Sequence, residues 1–321
     1  MYIPLDVNVM DTLNQYVIQR ITENHIGHIV SLYQAAFKRK VTEDFIRKKF
    51  DTSSFGVKNI GFIALTKEGH PAAFYGVLPC SFILHGKEVL AAQSGDTMTH
   101  PEHQRKGLFM ELSSRTFALA KENGIRFLFG FPNQHSLPGS RKLNWQYLPD
   151  TLQCFQLDVP TLGVARFVRK TKYLMPLYEK YAVKIMNPNL AGAETQVLPP
   201  SGSGVNRNTA FVRYKAYHKS YHLSMDKESV WCKIDGELKI GFVSFAGDMP
   251  DATFLKKIKR MGALLGCRRV LFMTSKGSSL YDFLVQYLKP ANGFPVAIYP
   301  LQDGEMHLDD LKFEYCDLDI F

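Results

Sequence analysis

The stretch that decides the fold is Gln93-Ser94-Gly95-Asp96-Thr97-Met98-Thr99-His100-Pro101-Glu102-His103-Gln104-Arg105-Lys106-Gly107-Leu108-Phe109. It has the pattern of a strand, a short basic loop and the start of an amphipathic helix. Backbone N–H groups at a helix N-terminus lack intrahelical acceptors, and the helix dipole adds positive potential there. Arg105 and Lys106 add full charge, and Gly107 allows a ligand to approach the backbone closely. The stretch predicts either a phosphate-binding loop or an ordinary solvated turn.

Further helix and strand signals surround this loop. Apolar residues at helical spacing indicate helices before it, and turn residues between alternating apolar segments indicate two hairpins. The predicted elements are helices between about 22 and 50, strands 61–66, 72–77, 82–84 and 89–99, a helix from 108 ending at Gly124, and a strand over 126–131. This order is typical of an α+β domain in which helices flank one sheet.

The loop resembles motif A of the GNAT N-acetyltransferase superfamily, in which Gln or Arg, two residues, Gly, one residue and Gly or Ala follow one another. Gln104 and Gly107 match this pattern, whereas Phe109 stands at its last position. Three flanking segments also resemble the family: Thr99-His100-Pro101-Glu102 before the loop, Phe131-Pro132-Asn133 at the end of the fifth strand, and Lys142-Leu143-Asn144-Trp145 at the family's Lys-Leu-Gly-Phe segment. The resemblance extends over about residues 20–155.

The resemblance implies an α+β fold with a mixed, mostly antiparallel sheet flanked by helices. It implies acetyl-CoA as co-substrate and acyl transfer to a primary amine of a small molecule, sugar or peptide. The implied cofactor-binding residues are Gln104, Arg105, Lys106, Gly107, Leu108 and Phe109 at the pyrophosphate, the backbone of Met98 and Thr99 at the acyl carbonyl, and Asn133 and Ser136 at the pantetheine arm.

The catalytic residues are harder to assign by resemblance. The family's frequent Tyr, which protonates the departing thiolate, is replaced by Ser140. Tyr147 and Tyr75 are candidate substitutes, although each also suits a packing role. Asp96, near the end of the fourth strand, is a candidate general base. The same Asp beside Gly95 could instead cap a bulge.

The second half resembles the partner domain of tandem GNAT proteins and has no recognisable pyrophosphate loop. Its predicted elements are a helix over 209–221, strands 229–234 and 238–245, a helix over 251–265, a strand over 269–274, a helix over 278–288 and a strand over 294–300. We therefore expect a catalytic domain over 1–155, a basic helical connection and linker over 156–208, and a second GNAT-like domain over 209–321. One CoA site per chain follows.

The chain end supplies another candidate base. It resembles the enhanced-intracellular-survival acetyltransferases, tandem GNAT proteins in which the terminal carboxylate enters the active site. The segment Cys316-Asp317-Leu318-Asp319-Ile320-Phe321 is apolar and acidic and suited to bury Phe321. The Phe321 carboxylate is therefore a candidate catalytic group, and a frayed terminus is the alternative.

The charge leaves other classes of function open. The formal net charge is +9, and between 166 and 184 six Lys and Arg residues face only Glu179. Such a chain can attract nucleic acid, an anionic surface or a phosphorylated ligand. Because no RNA-binding or DNA-binding signature is evident, a basic nucleic-acid scaffold ranks below a non-catalytic acyl-CoA-binding module, the main alternative to an enzyme.

Neither a secretory leader nor an apolar run of about 20 residues is present, so we expect a cytoplasmic protein without a membrane partner. The five scattered cysteines predict neither disulfides nor a zinc ribbon. Two histidine pairs have ligand-like spacing, His100 with His103 and, on a predicted helix, His218 with His222. Both lack a nearby third ligand, so no metal is expected.

Overall fold

The computed structural model describes residues 13–192, 202–245, 251–302 and 307–321. These residues pack into two compact units. The first contains the described parts of Met1–Phe82, Glu88–Tyr147 and Ala297–Met306, and the second those of Ile83–Lys87, Leu148–Val296 and His307–Phe321. Each unit is built on one mixed sheet with helices against it, which confirms the predicted α+β class.

The helices are α1 (Ile26–Phe37), α2 (Glu43–Phe50), α3 (Leu108–Glu122), α4 (Leu137–Lys142), α5 (Val164–Lys170), α6 (Met175–Met186), α7 (Thr209–Tyr214), α8 (Ala252–Leu264) and α9 (Ser279–Leu284). The strands are β1 (Tyr16–Arg20), β2 (Gly61–Thr66), β3 (Pro71–Leu84), β4 (Lys87–Thr99), β5 (Phe127–Gly130), β6 (Gln146–Tyr147), β7 (Gln153–Asp158), β8 (Ser203–Val205), β9 (Tyr221–Met225), β10 (Glu228–Ile234), β11 (Leu238–Phe245), β12 (Arg269–Thr274), β13 (Ala291–Asn292), β14 (Ala297–Pro300) and β15 (Leu311–Lys312).

The sheet of the first unit has the strand order β1-β2-β3-β4-β5-β14-β6. β4 and β5 run parallel, whereas β14 is antiparallel to both of its neighbours. Ala297 of β14 pairs with Gly130 on one side and Tyr147 on the other. A strand from near the chain end therefore completes the first sheet.

Alternating side chains of β3 fill the core on both faces of this sheet. Phe74 packs with Phe50 in the cluster that contains α1 and α2. Its neighbour Tyr75 points to the opposite face, where its ring contacts Phe117 of α3. This period of two allows helices to pack on both faces of the sheet.

The second unit has the strand order β13-β7-β12-β11-β10-β9. β11 and β12 are parallel over Leu238–Ile240 and Val270–Phe272. Side chains of α5, α6, α8 and α9 pack on one face in a single apolar cluster. On the other face, the Trp231 ring contacts Phe211 of α7 and the terminal Phe321. The chain end is thus part of the second core.

Some predicted elements differ from the structure in extent or in partner, and one strand, β7, was not predicted. The helix predicted over 209–221 ends at Tyr214 and is followed by β9, whose buried side chains alternate. The last predicted strand belongs to the first sheet, as β14. β7, which spans the predicted boundary at 155, pairs with β12 of the second sheet. Local sequence does not specify strand partners, because pairing depends on residues far apart in the chain.

The predicted linker over 187–208 lies partly outside the described residues. At its start, Asn187–Asn189 forms a single 3-10 turn, and near its end β8 pairs in parallel with β15. The helix predicted to reach 288 ends as α9 at Leu284. The remaining predicted helices and strands are confirmed to within a few residues.

Candidate active site

The basic loop before α3 leaves a row of backbone donors unpaired. Gly107 is the N-cap residue of α3 at φ +79°, and no side chain caps the helix. Arg105 is also left-handed, at φ +61°. The N–H groups from Arg105 to Met110 donate to no carbonyl or side chain of the described residues. Because Arg105 and Lys106 add positive charge, the loop fits a diphosphate.

The packing of Phe109 explains why this residue stands where the family has Gly or Ala. Its ring lies 5.6 Å from the ring of Tyr75 on β3. It also covers Gly139 of α4, where a Cβ atom would lie 2.8 Å from Phe109 Cζ. The side chain therefore fills a space that Gly139 leaves, and an Ala at 139 would displace it. The sequence signal was the Gly at position 139 within a short helix. It has meaning only when Gly139 is known to contact Phe109.

The end of β4 extends beyond its pairing with β5 towards the loop. Its parallel pairing with β5 covers only Ala92 and Gln93, although β4 continues to Thr99. Met98 buries its side chain in the core, with 2% exposed. It can therefore contribute only its backbone to a ligand. This agrees with the role that the resemblance implies for Met98 and Thr99, which stays a prediction.

Asp96 is held in a buried ion pair. It adopts a left-handed conformation at φ +54° within β4. Its Oδ2 lies 2.5 Å from Nζ of Lys49 on α2, and the two side chains are 9% and 3% exposed. A carboxylate engaged in this way is poorly placed to remove a proton from a substrate amine. The geometry favours the structural alternative for Asp96.

Asn133 and Ser136 form the turn that leads into α4. Asn133 Oδ1 accepts from the N–H groups of His135 and Ser136, at 2.8 and 3.2 Å. Ser136 Oγ accepts from Asn133 N at 3.0 Å. The two residues therefore shape this turn together, and a contact with the pantetheine arm would add to that role.

Ser140 and Tyr147 are joined by a hydrogen bond. Ser140 occupies the position of the family's usual Tyr, and its Oγ lies 2.6 Å from Tyr147 Oη. Ser140 Oγ also donates to the Leu137 carbonyl, at 3.0 Å. The phenol of Tyr147 on β6 thus reaches the α4 position from which the family's Tyr is missing. The sequence suggested Tyr147 but gave no sign of its contact with Ser140.

Tyr75 has a different environment from Tyr147. Only 2% of it is exposed, and its hydroxyl lies 3.0 Å from Ser94 Oγ. Burial is the main reason that the pKa of Tyr75 is raised well above its usual value. Proton release from this phenol is therefore unfavourable, which supports its interpretation as a packing residue.

Asn144 and Trp145 account for the third segment of the resemblance. Asn144 stands where the family has Gly and adopts φ +58°, a conformation that Asn tolerates better than most residues. Trp145, at the family's Phe position, is buried against Phe117 and Tyr299. The segment thus closes the core beneath α4.

Of the two histidine pairs, His218 with His222 does not lie on a helix as predicted. His103 accepts or donates a hydrogen bond with Tyr16 Oη at 2.8 Å, and its pKa is lowered, mainly by burial. His222 lies on β9 instead of a helix, stacks on Trp231 and has its pKa lowered to about 4 by burial. In the part of the chain that the structure describes, no group of three or more His, Cys, Asp or Glu residues could hold a metal.

Phe321 is buried, as the sequence predicted, and 1% of it is exposed. Its ring packs on Trp231 and Tyr315 within the second unit. Lys215 Nζ donates to the Leu318 carbonyl and Lys233 Nζ to the Ile320 carbonyl, at 2.5 and 3.0 Å. The catalytic role suggested for the terminal carboxylate stays a prediction.

Known proteins with this fold agree with the loop and sheet geometry. A family model described as an acetyltransferase (GNAT) domain matches residues 17–148. A GCN5-related N-acetyltransferase from Kribbella flavida is similar with a TM-score of 0.55 and 12% identity, covering 89% of this chain and 69% of that chain. A second, from Anabaena variabilis, is similar with a TM-score of 0.54 and 12% identity, covering 89% and 73%.

A conserved protein of unknown function from Enterococcus faecalis is similar with a TM-score of 0.59 and 12% identity, covering 89% of this chain and 72% of that one. No curated protein sequence matches the chain. The strand, loop and helix of motif A, together with the family match, define a GNAT fold. Residues 17–148 are therefore a GNAT-type acetyltransferase domain. Among the described residues, no helix has the length and apolar character needed to cross a bilayer.

Proposed function

We propose that the chain is an acyl-CoA-dependent N-acyltransferase that moves an acetyl or other acyl group to a primary amine. The observation that carries this proposal is the uncapped N-terminus of α3, with free N–H groups from Arg105 to Met110. These donors, with Arg105 and Lys106, would hold the CoA pyrophosphate. Leu108 supports the loop from the core, where its side chain is buried.

In this reaction the amine attacks the thioester carbonyl, a C–N bond forms, and the C–S bond breaks. The backbone of Met98 and Thr99 would bind the carbonyl oxygen as it becomes negative. The amine loses one proton and the departing thiolate gains one. Much of the rate would come from holding both substrates in place.

Tyr147 is the acid that we propose for the thiolate. Its phenol would donate the proton directly or through Ser140 Oγ, 2.6 Å away. The side chain is within reach of the position that the family's Tyr would occupy. Gln104, Asn133 and Ser136 would complete the contacts to CoA.

The acceptor would be a small-molecule or peptide amine. A GNAT module that binds acyl-CoA without catalysis is the second candidate function, because Ser140 replaces the usual acid. In that case, CoA would bind but no thiol would be released. The proposal assigns neither a metal nor nucleic acid to the reaction.

Two measurements test the proposal. Titration calorimetry with acetyl-CoA and with desulfo-CoA should give one site per chain for each. Thiol release should then depend on an amine from a panel of sugar amines and amino-acid amines. Binding without thiol release on the whole panel favours the non-catalytic module, and absence of CoA binding contradicts both.

A further inference from the structure

The second unit presents a set of large apolar side chains to solvent. Leu162 is 77% exposed, Phe167 60%, Tyr173 80% and Leu177 70%. Scattered single leucines are normal on protein surfaces, but these four lie within one short stretch of the chain. Exposed apolar groups of this size in one region indicate an interaction surface.

Contacts at the end of α8 hold this region together. Val164 of α5 packs against Gly266, and Thr161 Oγ1 donates to the Ala263 carbonyl at 3.1 Å. From α6, Tyr181 Oη donates to the Leu264 carbonyl at 2.6 Å. The helices α5 and α6, which pack in the same apolar cluster of the second unit, are therefore both held at the end of α8, on one face of that unit.

Cations line the same face. A groove of about 860 Å³ contains Phe167 together with Arg166, Lys170 and Arg268. Arg166 and Lys170 form no ion pair with any acid of the described residues. Two acids line the groove: Glu237 is paired with Arg269, and Asp158 accepts a hydrogen bond from Gln156 Nε2. Glu179 of α6 is paired with Lys219. Arg166, Lys170 and Arg268 therefore outnumber the one remaining acid, Asp158, and the groove keeps a positive charge.

We propose that this basic apolar surface, made of Leu162, Phe167, Tyr173 and Leu177 with Arg166 and Lys170, binds the surface of an anionic lipid bilayer. Apolar side chains would enter the boundary between headgroups and acyl chains, and the cations would meet the lipid phosphates. The sequence prediction that no membrane takes part rested on the lack of a spanning segment, and surface binding needs none.

Charge and shape favour lipid over other occupants. A symmetric pair of chains through this face would bring Arg166 and Lys170 towards their own copies, which is unfavourable. Nucleic acid would satisfy the cations and could stack bases on Phe167 and Tyr173, but it would leave the aliphatic side chains of Leu162 and Leu177 in water. An anionic bilayer satisfies both the cations and the aliphatic side chains. This inference does not depend on the acyl transfer reaction.

Vesicle co-sedimentation tests the proposal with the full chain. We expect binding to vesicles of phosphatidylcholine mixed with phosphatidylglycerol, weakening with salt, and none to phosphatidylcholine alone. Arg166→Glu with Lys170→Glu should lower the affinity by about tenfold or more, and Phe167→Ser with Leu177→Ser should do the same. Unchanged circular-dichroism melting curves would show that these exposed changes leave the fold intact.

Matched controls lie on the first unit. Arg39→Glu with Lys40→Glu makes the same charge change at exposed residues, and Phe37→Ser removes a 47% exposed ring. Both controls should bind vesicles as the unaltered chain does. The proposal is overturned if anionic vesicles are not bound, or if the controls lose as much affinity as the surface variants. A dimer that Leu177→Ser dissociates, or RNA binding in place of vesicle binding, would also overturn it.

Discussion

Each sheet contains a parallel strand pair whose two strands are separated in the chain by a helix: β4, α3 and β5 in the first unit, and β11, α8 and β12 in the second. We call the end of each strand pair beside the helix N-terminus its opening, and the two openings differ. In the first unit, α3 begins at Gly107, and no side chain caps it. In the second, α8 begins at Asp251, whose carboxylate accepts from Thr253 N at 2.7 Å. An anionic side chain thus takes the place in which a ligand anion would bind.

The chain end fills the second opening further. Glu314 forms an antiparallel bridge with Thr274 at the end of β12, and the Phe321 ring covers Gly241 on β11. In the first unit, β4 continues to Thr99, beyond its pairing with β5 at Ala92 and Gln93. The difference shows that the polar backbone of one strand arrangement can serve either a ligand or contacts within the protein.

The largest effect should come from a charge placed in the first opening. We expect Gly107→Glu to abolish CoA binding, because a carboxylate would face the pyrophosphate at a cost of several kcal/mol, about a hundredfold or more in Kd. Gly107→Asn is the matched control, since Asn tolerates a left-handed backbone without adding charge. Calorimetry measures both. Equal affinity in the Glu variant would remove the proposed site.

Changes at the second opening should instead lower the stability of the protein. Phe321→Ala removes a buried ring and should cost about 3–5 kcal/mol of unfolding free energy while CoA still binds. Trp231 fluorescence reports on this region because the two rings are 5.7 Å apart. Ile320→Ala, at a side chain that is 42% exposed, is the milder control.

Deleting Ile320 and Phe321 tests whether the terminal carboxylate takes part in catalysis. Lost turnover with intact folding and CoA binding would assign that carboxylate to the reaction. Full activity with an unchanged melting temperature would exclude it and would also contradict the packing role of Phe321.

The buried ion pair at the first opening gives a comparable change in stability. Asp96→Asn leaves the Lys49 ammonium without its carboxylate and should cost about 3–5 kcal/mol. Thermal unfolding measures this, with Asp44→Asn as control, because the Asp44–Lys48 pair is exposed and should matter little. A stable Asp96→Asn protein with lost turnover from pH 6 to 9 would restore Asp96 as the base.

A smaller effect, on turnover, is expected from changes to the hydrogen-bonded hydroxyls of Ser140 and Tyr147. Tyr147→Phe should lower kcat about a hundredfold with little change in CoA affinity, since a general acid acts only on the chemical step. Ser140→Tyr combined with Tyr147→Phe should recover part of the rate by returning a phenol to α4. Tyr75→Phe is the control, and a larger loss there would assign the acid to Tyr75.

The smallest effect concerns the pH dependence of the second unit. Burial raises the pKa of Glu314 to about 8, although the nearby Arg207 guanidinium and the Thr274 hydroxyl act in the opposite direction. Between its usual pKa of about 4.3 and this value, folded Glu314 retains a proton that the unfolded chain releases. Stability should therefore fall as pH rises through this window. Melting temperatures of Glu314→Gln should show a flatter slope, and an unchanged slope would contradict the assignment.

Much of the first opening could be predicted from local sequence. The pattern from Gln104 to Gly107 specifies a turn and a helix start within a few residues, so its backbone follows from its own composition. The partners of Asp96 and Tyr147 could not be predicted in the same way. Lys49 and Ser140 are unexceptional in sequence, and only the packing of α2 and α4 brings them close. The strand β14 was assigned to the wrong sheet for the same reason, and β7 was not predicted.

The position of β14 has a consequence for synthesis of the chain. The edge strand β6 joins the first sheet by pairing with Ala297 and Ile298 of β14, which leave the ribosome long after residue 148. During synthesis, β5 therefore lacks its neighbour β14 while residues 149–296 are being made. A fragment ending at residue 148 would expose the β5 edge permanently, and unpaired edges promote aggregation. The two halves of this protein have to be made, and studied, as one chain.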